Sequence, residues 1–368
     1  MRPASGAERA RLNDSFAALC RIPSPFGQEA AVAAHVTREL QGMGLGVAAD
    51  ARSNLLTRIR GRSERTVLLC AHLDTVAVTG EIEPVVVDGG WENAHDTILG
   101  ADNKAAVAVF LEVARRASVE GSPVGIELLL TVEEEDGLAG ATAFDASVLE
   151  ADFGYVLDHA TAIGEVVVAS PTYYRVSAEF HGRAAHAGIR PEAGRSAIVA
   201  AAHAITAMPH GRLDEQTTTN VGMIAGGTDS TNVVPERCRV VAEARSLDAE
   251  RVEAVVASMI DAAHDGAAAA ECDVDVVCEK RFDGYRQKPT APAIVAAEAA
   301  LRACGYAPAR IVTGGGSDAN VLSAQGVECV NLANGTERNH EPGERVAVAA
   351  LEGMLDVCLV LLDEAARA

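Results

Sequence analysis

The sequence predicts an α/β protein with a mixed sheet flanked by helices, interrupted by an inserted ferredoxin-like βαββαβ unit. Three observations carry this. RTVLLCAHLD (65–74) and GIELLLTVEEE (125–135) are near-continuous apolar runs, the pattern of strands buried on both faces of a mostly parallel sheet. ADNKAAVAVFLEVARRA (101–117) separates them with helical periodicity, so strand and helix alternate. Between 174 and 283 the order becomes strand, helix, strand, strand, helix, strand, the split unit of ferredoxin-like domains.

Taken in order, GQEAAVAAHVTRELQGMG (27–44) reads as an amphipathic helix ended by glycine. DFGYVLDHA is a further strand that ends in an acid. The insert follows, from YRVSAEFHG to CDVDVVCEKRF. After residue 284 the α/β grammar resumes with the helix TAPAIVAAEAALRACG, a short strand around Ala309–Val312 and the glycine-rich GGGSDAN. The strand VECVNLA and a last helix from about Pro342 close the chain. This places one domain at 1–173 plus 284–368 and the other at 174–283.

Composition narrows the function classes. A chain of 368 residues buries a large core, and 49% hydrophobic with 23% charged residues is ordinary for a soluble globular enzyme. The net charge of −21 argues against nucleic acid or an anionic membrane surface as partner, since both call for basic patches. No apolar run is long enough to span a membrane, and the N-terminus lacks a signal-like apolar stretch. The eight cysteines are scattered with no CxxC pair. Cys70 and Cys358 read as buried thiols, and a reducing cytoplasm is the expected location.

The chemistry gathers at strand ends, where open α/β sheets place their sites. VLLCAHLDT ends with His72 and Asp74, and LLLTVEEE delivers Glu133, Glu134 and Glu135. YVLDH carries Asp158, ILGADNKA sets Asp102 just before a helix, and ERNHEPGERV puts His340 just before the last one. So many acids at one edge are costly unless a cation neutralises them. Imidazoles and carboxylates are donors that zinc accepts. A metal-activated water also needs a proton acceptor, so adjacent glutamates can divide the roles of ligand and base. Asp74, on the same strand face as His72, is suited to hold the imidazole tautomer.

These segments, in this order, resemble the cocatalytic zinc peptidase family that includes peptidase T, glutamate carboxypeptidase, aminoacylase and succinyl-diaminopimelate desuccinylase. The likeness runs through IPSPFGQE, HLDT, ILGADNKA, EEDGLAGA, FHGRAAHAG, GGTDSTNVVP, EARS, GGGSDAN and NHEPGE. HLDT, LGADNKA and HAG look most like the peptidase T-like branch. The resemblance implies a zinc-peptidase catalytic domain with an inserted lid and dimerisation domain. It implies Glu134 as general base and Glu135 as ligand, because Gly137 fixes which glutamate pair matches the motif. Asp102 would bridge two divalent metals. His72 and Asp158 would hold one, and Glu135 and His340 the other. Asp74 would orient His72. In the lid, His186 resembles a histidine that reaches a neighbouring subunit's site and polarises the scissile carbonyl. Asn232 and Arg245 resemble substrate anchors, and the turn of Gly315, Gly316 and Ser317 is suited to a substrate carboxylate. His159 stands where relatives often carry glycine.

The implied activity is metal-dependent hydrolysis of amide bonds in short peptides, led by tripeptide aminopeptidase action. The alternatives are an N-acyl-amino-acid deacylase, a carboxypeptidase or dipeptidase of the same family, and a non-catalytic metal-binding scaffold. Zinc is the leading metal, with cobalt and manganese suited to the same ligands. A homodimer through the lid is implied.

Overall fold

The computed structural model describes Arg2–Ala368. The chain forms two compact units, one running to Ala169 and resuming at Arg286, the other spanning Ser170–Tyr285. The sheet of the first unit places Gly125–Thr131, Thr66–His72, Phe153–His159 and Cys329–Ala333 side by side. These neighbours run parallel. Leu55–Ile59 and Glu165–Ser170 flank them antiparallel, so the sheet is mixed, as the alternating grammar predicts. The apolar runs are interior: Val67 to Ala71 are each 0% exposed. Full burial of one such aliphatic side chain contributes about 1.5–3 kcal/mol. The helix Ala101–Glu120 packs on the first-unit core through Ala105, Val109 and Val113.

Parallel direction has one consequence for function. All four central strands release their carboxyl ends at the same edge, and the segments following them carry the acids and histidines. A separate small sheet joins Thr336–Glu337, Arg345–Ala347, Gly90–Asn93 and Pro84–Val87. It corrects one boundary: the last helix is Val348–Ala365 and does not begin near Pro342. The intervening residues are drawn into the strand Arg345–Ala347, paired with Gly90–Asn93.

The second unit has the strand order Gly211–Arg212, Thr217–Gly226, Arg237–Ser246, Thr172–His181, Asp273–Phe282. The helices Ala197–Ala207 and Ala249–Ala269 cover one face and share its core with Val176, Phe180 and Val240. Its first and last long strands are antiparallel neighbours, with Tyr173 opposite Phe282. The Gly284 N–H donates to Thr172 Oγ1 at 2.9 Å, so the segment closes on itself. Among the described residues no helix is long and apolar enough to cross a membrane. All eight cysteines are free, with Cys70 and Cys358 buried.

Candidate active site

His72 closes its strand opposite Thr131, which brings the acidic run to the same point. The chain turns sharply there, and Glu133 takes a left-handed conformation at φ 51°. Asp74, fully buried, accepts the backbone N–H of Glu134 on Oδ1 and of Glu135 on Oδ2, each at 3.0 Å. Its backbone carbonyl lies 3.0 Å from His72 Nδ1 and its Oδ1 lies 3.5 Å from the same nitrogen. An Nδ1–H donated to that carbonyl leaves Nε2 as the outward lone pair. Asp74 therefore touches both His72 and the two glutamates.

His72 Nε2 is 3.2 Å from Asp102 Oδ1 and 3.6 Å from Asp158 Oδ1. His340 Nε2 is 3.2 Å from Asp102 Oδ2 and 2.8 Å from Glu135 Oε1. The two oxygens of Asp102 thus divide between two histidines, each of which has a second carboxylate beside it. Glu135 Oε1 is buried without a hydrogen-bond partner despite that 2.8 Å approach. Atoms that come close without hydrogen-bond alignment are the arrangement expected of donors facing a common ion. Donor atoms of His72, Glu134 and Asp158 lie within 4.8 Å of one another, as do those of His72, Asp102 and Glu135.

Electrostatics points the same way. Burial alone would lower the His72 pKa, but Asp102, Asp158 and Asp74 raise it well above the ordinary histidine value. Asp102 and Glu135 push His340 up to about 10. Burial and the Asp158 charge raise Glu134, and burial and Asp102 raise Asp158. Among the described residues no lysine or arginine pairs with these carboxylates; their ion-pair partners are the two histidines. A cluster with surplus negative charge, made of imidazole nitrogens and carboxylate oxygens, fits divalent metal ions.

The other candidate residues make contacts of their own. Glu133 pairs with Arg52 through Oε2 at 2.6 Å. His159 Nε2 sits 3.5 Å from Glu165. The Gly315 N–H donates to Thr313 Oγ1 at 3.1 Å, Gly316 is half-buried, and Ser317, buried, donates its N–H to Asn320. Asp318 turns inward, accepting from Thr131 Oγ1 at 2.5 Å. In the second unit, exposed His186 and Asn232 lie on adjoining segments: Ala187 N–H donates to the Asn232 carbonyl at 2.8 Å. Arg245 stacks over Tyr173 at 4.2 Å and its Nε donates to Glu243 at 3.1 Å.

Three site residues escaped sequence reading. Asn339 donates from Nδ2 to Asp102 Oδ2 at 2.8 Å. Asn331 accepts the Asp158 N–H at 2.9 Å. Glu344, 1% exposed, accepts the N–H groups of Leu99, Gly100 and Asp102. Asn339 adjoins His340 and offered a local signal. Glu344 closes the same NHEPGE run, but the N–H groups it accepts are remote in the sequence, as is the one Asn331 accepts.

A carboxylate shared between two histidines at the carboxyl edge of a parallel sheet fits the class of metallohydrolases. Comparison with known proteins narrows the class. The M20 family model described as a peptidase dimerisation domain matches residues 172–271. The uncharacterised protein YqjE of Bacillus subtilis is 36% identical over 367 residues, covering 97% of this chain and 99% of that one. The crystal structure of aminopeptidase PepT from Bacillus cereus is 36% identical with a TM-score of 0.87, covering 97% of this chain and 99% of that one. A tripeptidase from Staphylococcus aureus is 33% identical with a TM-score of 0.91, covering 98% and 99%. The chain belongs to the M20 peptidase family and is a hydrolase.

Proposed function

We propose that this protein is a two-metal, peptidase T-like aminopeptidase that removes the first residue of short peptides, tripeptides foremost. One observation carries the metal chemistry: the two oxygens of Asp102 divide between His72 and His340. The substrate class is supported by likeness, over nearly the whole chain, to an aminopeptidase and a tripeptidase.

His72 and Asp158 would hold one divalent ion, Glu135 and His340 a second, with Asp102 shared; zinc suits these donors, as do cobalt and manganese. Such ions supply Lewis acidity to a scissile carbonyl and to water. Glu134 takes the proton of the attacking water and passes it to the departing amine. Asp74 fixes His72 and the glutamate turn. Residues 1–169 and 286–368 act as the catalytic domain. The 170–285 unit acts as lid and homodimer interface, supported by the dimerisation-domain match. From it, His186 of a neighbouring subunit would polarise the carbonyl, while Asn232 and Arg245 anchor substrate. Gly315, Gly316 and Ser317 would line the carboxylate end. Eight free cysteines suit the reducing cytoplasm.

The test is hydrolysis of a matched pair by zinc- or cobalt-loaded protein: a free-amine tripeptide and its N-acetylated form, each with a chelator control. Chelator-sensitive cleavage of only the free tripeptide, at its first bond, is expected. Preference for the acetylated peptide would reassign the enzyme as a deacylase or carboxypeptidase.

A further inference from the structure

We infer that Glu344 is a positioning residue that sets Asp102 in place by gripping the turn that carries it. The inference rests on the reading of Asp102 as a shared metal ligand. The turn has an unusual need. Leu99, Gly100 and Ala101 are buried, so their backbone donors have no water to meet. Gly100 is left-handed at φ 76° and occupies the N-cap of the helix Ala101–Glu120 without any side chain to cap it. Asp102 itself departs from helical geometry at ψ 107°. The first N–H groups of a helix lack partners within it, and here no neighbouring side chain supplies one.

Glu344, 242 to 245 residues away, accepts the N–H groups of Leu99, Gly100 and Asp102 on its two carboxylate oxygens. Its Oε2 takes Leu99 N–H at 2.9 Å and Gly100 N–H at 2.8 Å, and its Oε1 takes Asp102 N–H at 2.9 Å. A carboxylate is also the charge that a helix N-terminus favours. Only four positions separate Glu344 from His340 in the chain. One short segment therefore carries the second histidine and also grips the backbone of the carboxylate that both histidines share. Asn339, on the same segment, holds the Asp102 side chain at Oδ2. Through Glu344 and Asn339 one short segment that carries His340 also sets the position of Asp102.

The experiment compares cobalt-loaded wild-type, Glu344→Gln, Glu344→Asp and Asp102→Asn proteins by visible absorption, metal titration and steady-state kinetics. Gln keeps one oxygen for Leu99 and Gly100 but turns an NH2 toward the Asp102 N–H. Expected for Glu344→Gln are a changed cobalt spectrum, affinity for at least one ion weaker by about 10–100-fold, and a fall in kcat with KM little changed. Glu344→Asp, which keeps the charge on a shorter arm, should fall between. A folded Glu344→Gln protein with wild-type spectrum and affinities, differing only in melting temperature, would overturn the inference. Failure of both Glu344 variants to fold would do so too, because the role would then be purely structural. Wild-type metal binding in Asp102→Asn would instead overturn the underlying assignment of Asp102.

Discussion

At the scale of single residues, the site separates two tasks that adjacent glutamates perform. Glu135 approaches His340, whereas Glu134 groups with His72 and Asp158. Replacing Glu134 by Gln should lower kcat by about 10²–10⁴-fold, the usual contribution of a positioned base, and leave metal stoichiometry intact. Activity assays paired with elemental analysis check this; an unchanged kcat removes Glu134 from the chemistry. Proton linkage gives a second test. His340, pushed up to about 10 by Asp102 and Glu135, is cationic in the metal-free protein at neutral pH. Metal binding needs neutral imidazoles, so it must expel protons. Calorimetry in buffers of different ionisation enthalpy should register proton release at pH 7. Affinity should weaken steadily as pH falls, because more protons then compete for the same nitrogens.

At the scale of elements, the helix Gly6–Cys20 is pinned by Glu8, which completes a capping box with Ser5 and bonds Arg116 Nε at 2.7 Å. Arg116 is buried, as is Glu8. Glu8→Gln strands a buried guanidinium and should cost about 3 kcal/mol at neutral pH. Burial opposes the Glu8 charge, but Arg116 and Arg2 win and hold its pKa well below the carboxylate range. A depressed pKa means that stability is present above the unfolded value of about 4.3 and is lost as pH falls. The stability gap between wild type and Glu8→Gln should therefore close in acid, as denaturant unfolding across pH would show. The elements themselves differ in how readable they are. Buried parallel strands announce themselves as unbroken apolar runs, and their acidic ends marked the site edge. The small sheet did not, because Pro84–Val87 and Arg345–Ala347 are brief and partly exposed. Glu344 and Asn331 were unreadable for another reason. They act on backbone N–H groups, which every residue possesses, so the side chains of Asp102 and Asp158 do not announce these partners.

At the scale of the whole molecule, the proposed dimer makes each centre depend on two chains. If His186 serves a neighbouring subunit, His186→Ala and Glu134→Gln proteins, each nearly inactive, should complement when mixed. A heterodimer has one centre with both groups intact, so random exchange of subunits should restore roughly a quarter of wild-type activity. No recovery after confirmed exchange would place His186 within its own chain's site. The self-closing of the Ser170–Tyr285 segment has a wider bearing. Because its inbound and outbound strands pair with each other, at Tyr173 and Phe282, the insert behaves as a cassette. The chain leaves the first unit at Ala169 and rejoins it at Arg286, so the sheet that gathers the acids is threaded the same way whatever the insert contains.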